Sequence, residues 1–119
     1  MKITRKALRP ASKLMPGTYP AVIVNVTASP NYFPQDAFVV EYNVSHRGHG
    51  ILYHETFIND IQNARTLAFL TFLRANGIST VCAETWIGMK LQLTFKRQYK
   101  SGRWFLNIYD RQLLNEEVQ

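Results

Sequence analysis

Apolar residues recur along five stretches of the chain, either with the two-residue period of a β-strand or as short continuous apolar runs. These stretches predict strands over residues 19–27, 37–44, 51–58, 89–97 and 103–111. Between the third and the fourth, residues 64–76 carry enough apolar side chains for a broad helix face, with Asn63 placed to cap the helix and Gly77 to end it. The predicted order is therefore three strands, one helix and two strands.

Few small folds use this order of elements, and the five-stranded Greek-key OB-fold barrel is the best known of them. The sequence thus predicts an all-β fold with one helix, arranged as an OB-fold barrel over residues 14–114. Residues 1–13 lack a clean period and are predicted to form a flexible basic N-terminal arm, and residues 115–119 a short acidic tail. A length of 119 residues suits one domain.

The third predicted strand allows two assignments of its buried face. One assignment turns inward the side chains of Leu52, His54, Thr56 and Ile58. The other turns inward those of Ile51, Tyr53, Glu55 and Phe57. We favour the first, because it keeps the carboxylate of Glu55 in water and avoids the cost of burying a charge. This choice places Tyr53 and Phe57 outside.

The last two predicted strands have one apolar and one polar face. Leu91, Leu93 and Phe95 alternate on the inner face, and Leu106 and Ile108 match them on the neighbouring strand. The outer face then combines aromatic rings, cations and amides without an acid: Lys90, Gln92, Thr94, Lys96, Phe105, Asn107, Tyr109 and Arg111. Trp104 has inner parity but lies at a strand end, so the sequence leaves its placement open.

The positive charge of the chain is concentrated in two places. The net charge is +6, whereas residues 1–13 and residues 90–111 each carry +5 and the remainder is acidic. Clustering of this kind indicates a positive face, which is typical of a protein that binds nucleic acid. The alternative is a lysine-rich surface that only keeps the protein in solution.

Aromatic rings that alternate with cations suit unpaired nucleic acid, because a ring stacks on a base while Lys and Arg hold the phosphates. The outer face and the turn that follows it, with Arg97, Tyr99, Lys100 and Arg103, have this composition. The alternative is that Phe105 and Tyr109 are covered by the N-terminal arm or by a dimer partner. The adjacent rings of Tyr32 and Phe33, in a loop rich in Pro, Asn and Asp, either pack on the core or stack on a ligand.

Three segments resemble the single-stranded DNA-binding proteins of phages and mobile elements that have the OB-fold. They are residues 16–21 (PGTYPA), 86–90 (WIGMK) and 102–108 (GRWFLNI). The resemblance implies that DNA crosses the second and third strands, framed by the loops at residues 29–36 and 99–102. It nominates Tyr32, Phe33, Tyr53, Tyr99, Lys100, Arg103 and Phe105. If the resemblance holds, residues 114–119 are far shorter than the long Gly/Pro/Gln-rich tail with an acidic tip that the cellular bacterial proteins carry, so recruitment of partners through such a tail is not expected.

Together these arguments give one set of candidate nucleic-acid-binding residues: Tyr32, Phe33, Tyr53, Lys90, Lys96, Arg97, Tyr99, Lys100, Arg103, Phe105, Tyr109 and Arg111. The predicted function is binding of single-stranded DNA with little sequence preference, protecting or presenting single strands in replication or recombination. Replication or recombination proteins are expected as further partners, and a homo-oligomer is left open. The alternatives are an RNA-binding OB domain and a protein–protein interaction module.

Other functional classes are not expected. His46, His49 and His54 lack an accompanying thiol or carboxylate cluster, so no metal site is predicted. The sequence has none of the common catalytic or cofactor motifs, and it predicts neither an enzyme nor a cofactor. A single cysteine, Cys82, and the lack of an apolar leader or membrane-length run favour a cytoplasmic protein, in a bacterial host cell if the resemblance holds.

Overall fold

Six strands and one helix make up the described part of the computed structural model, which covers residues 9–10, 14–29 and 36–114. The elements are β1 (Arg9–Pro10), β2 (Gly17–Ser29), β3 (Ala37–His46), β4 (His49–Ile58), α1 (Ala64–Ala75), β5 (Lys90–Lys100) and β6 (Arg103–Leu113). A short 3₁₀ helix, Ala83–Trp86, lies between α1 and β5. The five predicted strands and the predicted helix are confirmed. The sequence did not predict β1, which lies within the stretch expected to be a flexible arm.

All six strands belong to one sheet, in the order β1-β4-β3-β2-β5-β6. Every neighbouring pair is antiparallel except β1 and β4, which pair in parallel at Arg9 and Ile51. Within the described residues no backbone ladder joins β4 to β6, so the sheet is not closed into a barrel. The prediction of a mostly β fold with one helix is confirmed at this level.

Two tight turns connect the antiparallel hairpins. Arg47 and Gly48 join β3 to β4, and Ser101 and Gly102 join β5 to β6. All four residues have positive φ, between 52° and 79°. Two successive positive φ angles give a turn whose twist matches that of the flanking strands, which is why short β-hairpins favour it. The β5–β6 turn therefore fixes the register of the last two strands.

The buried face of β4 is the opposite of the one favoured from the sequence. Ile51 and Phe57 are buried and Glu55 is only 4% exposed, whereas His54 is exposed beside Glu41, with Nε2 2.6 Å from Glu41 Oε2. The expectation that Tyr53 and Phe57 lie outside is therefore wrong. Glu55 is tolerated inside because the Tyr42 hydroxyl donates to its Oε1 at 2.8 Å and Arg111 Nη2 donates to its Oε2 at 2.8 Å.

Aromatic packing attaches α1 to the sheet. Phe69 stacks on Phe57 of β4 with 4.6 Å between ring centroids, and Trp86 meets Phe69 edge to face at 5.3 Å. Asn63 caps the helix as predicted, with its Oδ1 accepting from the Thr66 backbone N–H at 3.2 Å. Gly77, at φ 70°, follows the last turn. Among the described residues no helix is both long enough and apolar enough to cross a membrane.

A β-bulge in β6 changes the faces of its last residues. Phe95 pairs with Ile108, but Thr94 pairs with Asp110 and Leu93 with Arg111, so Tyr109 is the extra residue. One inserted residue reverses the facing of everything beyond it. The predicted outward position of Arg111 is therefore wrong: Arg111 shares the inner face with Leu93. Asp110 takes its place on the outer face, which was expected to lack an acid.

Candidate nucleic-acid interface

The β5–β6 hairpin extends beyond the hydrophobic core as a two-stranded ribbon, which we define as residues 96–107. Phe95 at its base is buried, whereas every residue from 96 to 105 is exposed. The ribbon holds Lys96, Arg97, Lys100 and Arg103 and contains no acidic residue, which gives it a charge of +4. It is therefore a solvent-exposed, uniformly positive projection that bears several large apolar side chains.

The outer face of the ribbon is the face predicted from the sequence. Here Lys96 pairs with Asn107, Gln98 with Phe105, and Lys100 with Arg103. Phe105 is 42% exposed, and Tyr109, in the bulge at the base of the ribbon, is 64% exposed. The prediction that both rings face solvent is confirmed.

Cations lie close to both of these rings. Lys96 Nζ is 3.7 Å from the centroid of the Tyr109 ring, and Arg103 Cζ is 5.8 Å from that of Phe105. Exposed contacts of this kind contribute about 0.5–1 kcal/mol each, which is too little to lock the side chains in place. The cations therefore stay available to a phosphate that approaches the rings.

The opposite face of the ribbon carries a second pair of rings. Tyr99 pairs directly with Trp104, their ring centroids are 5.2 Å apart, and the rings meet edge to face. They are 62% and 67% exposed. Arg97 lies on the same face, opposite Leu106. Trp104 was not among the candidate residues, although its parity with Leu106 and its position past the end of the core could have identified it.

Two candidate residues serve the interior of the sheet instead. Tyr53 donates its hydroxyl to the Leu106 backbone oxygen at 3.0 Å and packs edge to face on Phe95. Burial, and to a lesser degree the nearby Glu55, raises the pKa of Tyr53 to about 12. Tyr53 thus joins β4 to β6, at a seam where the two strands share no backbone ladder.

Arg111 forms the second link across this seam. Its guanidinium donates to Glu55 and lies over two rings of the core, with Cζ 5.0 Å from the Phe69 centroid and 5.9 Å from that of Phe57. Burial is also the main cause that raises the pKa of Tyr42 well above its usual range, with Glu55 next. We call Tyr42, Tyr53, Glu55 and Arg111 the seam network. It links β3 and β4 to the edge strand β6 from inside the fold.

The remaining candidates are not gathered at the ribbon. Lys90 is exposed but lies six residues before Lys96 on the same strand, about 20 Å away at the rise of an extended chain. Tyr32 and Phe33 lie outside the described residues. The structure therefore brings together Lys96, Arg97, Tyr99, Lys100, Arg103, Phe105 and Tyr109, and it adds Trp104.

A groove of about 600 Å³ runs between α1 and β6, beside Tyr109. Its charged lining includes both signs, namely Arg65, Asp110 and the Glu55–Arg111 pair. The groove therefore lacks the excess positive charge of the ribbon, and a polyanion would gain less by entering it.

The part of the chain that the structure describes contains no cluster of three or more His, Cys, Asp or Glu side chains that could hold a metal ion. No protein-family model matches this chain, and no curated protein matches it.

Proposed function

We propose that this protein binds single-stranded DNA with little sequence preference, and that the ribbon at residues 96–107 is its main contact. The observation that carries the proposal is the ribbon itself: four cations, no acid, and rings that are 42–67% exposed. Rings stack on any base and cations attract any phosphate, so neither contact depends strongly on sequence. A solvated face without such a role would normally mix both signs of charge and expose fewer large rings.

The strand order supports a second part of the proposal, which concerns the fold. Neighbours β4-β3-β2-β5-β6, with a helix between β4 and β5, are connected as in an OB-fold, a barrel that is often partly open. In our proposal the seam network takes the place of the closing ladder. The loop between the fourth and fifth strands, which corresponds here to the β5–β6 turn, is one of the usual ligand-binding elements of this barrel, and this agrees with the position of the ribbon.

The biological setting follows from the same proposal. A small protein that covers unpaired DNA without reading its sequence would protect or present single strands during replication or recombination. The resemblance of residues 16–21, 86–90 and 102–108 to phage and mobile-element proteins makes the cytoplasm of a bacterial host the proposed location. Replication or recombination proteins are the proposed protein partners.

Titration of a fluorescently labelled oligothymidylate tests the proposal directly. We expect binding that weakens as salt rises, with a slope of log K against log[salt] of about −0.7 for each phosphate contact. A duplex of equal length should compete poorly, because its bases cannot reach the rings. Phe105→Ala and Tyr109→Ala should each weaken binding by about 1–3 kcal/mol without lowering the thermal midpoint.

The outcomes separate the alternatives. Tighter binding to oligouridylate than to oligothymidylate would assign the protein to RNA. Failure to bind either oligonucleotide at low salt would overturn the proposal and favour a protein–protein interaction module. If both ring variants bind like the parent, the outer face is not the contact surface.

A further inference from the structure

The ribbon has two faces, and both combine rings with cations. On the outer face Phe105 and Tyr109 lie beside Arg103 and Lys96. On the opposite face Tyr99 and Trp104 share their side of the strand pair with Arg97. Because directly opposed residues of an antiparallel pair point to the same side, the two sets of rings point away from each other. A single straight stack of bases cannot contact both sets.

The Tyr99–Trp104 pair has the geometry of a stacking platform. The two rings contact each other edge to face at 5.2 Å, an arrangement that aromatic pairs prefer. Both stay about two thirds exposed, and Trp104 is the more exposed of the two. Two large rings displayed to water beyond the end of the core gain nothing from the packing of the fold, so a bound ligand is the natural source of their burial.

We propose that Tyr99 and Trp104 form a second base-stacking site, so that the ribbon binds unpaired polynucleotide on both of its faces at once. The proposal rests on the single-stranded DNA binding proposed above. The sequence nominated Tyr99 and Arg97, but it nominated neither Trp104 nor a second, separate face. Charge favours a polynucleotide over a protein partner as the occupant. No acid lies within residues 96–107, and Arg97 supplies a phosphate contact beside the two rings.

Two occupied faces change what one molecule can do. Each chain would hold two segments of polynucleotide, one on either side of the β-ribbon, either as one strand that passes around the Ser101–Gly102 turn or as two separate strands. A protein with one site per chain covers a strand, whereas a protein with two sites can also bring two strands together. Short and long oligonucleotides distinguish the two arrangements.

The first experiment measures stoichiometry with the full chain and a thymidine dinucleotide, whose two linked bases cannot stack on rings that face opposite sides of the ribbon. Native mass spectrometry should show two oligonucleotides per chain at saturation. Trp104→Ala should reduce this number to one, Phe105→Ala should also reduce it to one, and the double variant should bind none. Trp104→Phe, which retains a ring, should keep two.

Tryptophan fluorescence gives an independent readout on the same samples. Trp86 is buried and donates its Nε1–H to the Ser79 backbone oxygen at 2.7 Å, so it should report little on binding. Trp104 should supply the quenching caused by stacked thymine. For an oligonucleotide of about twenty nucleotides we expect Trp104→Ala to weaken binding by about 5- to 150-fold, as the loss of one stacking contact predicts.

Several results would overturn this inference while leaving the proposed function intact. They are one short oligonucleotide per parent chain, an unchanged affinity for Trp104→Ala, or Trp104 emission that is not quenched by bound DNA. A blue shift of Trp104 emission with protein concentration alone would also overturn it, because the platform would then be buried by a second copy of the chain. A complete failure of the parent protein to bind any oligonucleotide would instead reject the proposed function itself.

Discussion

Within the described residues, cations meet aromatic rings at two places, and the two places differ in burial and in charge pairing. In the seam network Arg111 lies over Phe57 and Phe69, is nearly buried and is neutralised by Glu55. On the ribbon Lys96 and Arg103 lie near exposed rings, and residues 96–107 themselves contain no acidic residue. The comparison shows that a cation beside a ring is not by itself a binding site. Burial and a carboxylate partner make such a contact part of the fold, whereas exposure and excess charge leave it for a ligand.

The largest effect should come from breaking the seam network at Arg111. Arg111→Met leaves the Glu55 carboxylate buried without its cation, and we expect the free energy of unfolding to fall by about 3–5 kcal/mol. Urea denaturation followed by far-ultraviolet circular dichroism measures this loss. Arg111→Met combined with Glu55→Gln removes both charges and should restore part of the stability.

The affinity of Arg111→Met for oligothymidylate tests whether the seam network takes part in binding. At temperatures where Arg111→Met remains folded, its affinity for oligothymidylate should match that of the parent, because Arg111 faces away from the outer surface of the ribbon. A loss of stability below about 1 kcal/mol would show that Glu55 needs no cation. A large loss of affinity in the folded variant would return Arg111 to the binding surface.

The sequence led to a wrong facing for two side chains, Glu55 on β4 and Arg111 on β6, and the two errors depend on each other. Exposing Glu55 is the correct choice for a carboxylate without a cation, and Arg111 would be outside if β6 were regular. The bulge at Tyr109 turns Arg111 inward, and only then does Glu55 have a partner, 56 residues away in the sequence. Local alternation placed every long strand because it depends on near neighbours. It could not detect one inserted residue whose effect is stabilised by a distant pair.

Local alternation also predicts the candidate site only in part. Phe105 and Tyr109 were placed correctly because their parity is set by the nearby turn and by the apolar residues of β5. The sequence did not decide whether Trp104 is buried or exposed. Alternation along the strand assigns its side chain to the inner face, but it does not reveal where the core ends. The structure answers this at Leu106, which is partly buried against the core, whereas Trp104, the next residue on that face towards the turn, is 67% exposed.

A smaller effect is expected from Tyr53, and it depends on pH. Tyr53→Phe removes the hydrogen bond to the Leu106 backbone oxygen and should cost about 0.5–1.5 kcal/mol at neutral pH. The pKa of Tyr53 is raised to about 12 in the folded protein, above the value near 10 expected in the unfolded chain. Its neutral form therefore stabilises the fold fully below pH 10, and this contribution is lost as pH rises from 10 to about 12.

Urea unfolding at pH 9 and pH 11 tests whether the free energy of unfolding falls as pH rises. The parent should lose stability between the two pH values, and Tyr53→Phe should lose less because one of the two buried phenols of the seam network is gone. Tyr42, whose pKa is also raised, keeps part of the dependence in the variant. Parallel losses in parent and variant would mean that Tyr53 ionises alike in the folded and unfolded states.

The smallest predicted effect concerns a single cation of the ribbon. Lys96→Ala should leave the free energy of unfolding within about 0.5 kcal/mol of the parent, because its side chain is exposed and its contact with Tyr109 is weak. It should reduce the salt slope of oligothymidylate binding by about 0.7, the value for one lost phosphate contact.

Arg74→Ala, in the last turn of α1, is the control: it lowers the net charge of the protein equally, at an exposed position that is not part of the ribbon. If the slope responds to Lys96 and not to Arg74, the charge of the ribbon acts through direct contact. An equal response to both would show that only the overall positive charge matters, and the distinction between a ligand-binding region and a structural one would then have to depend on the rings alone.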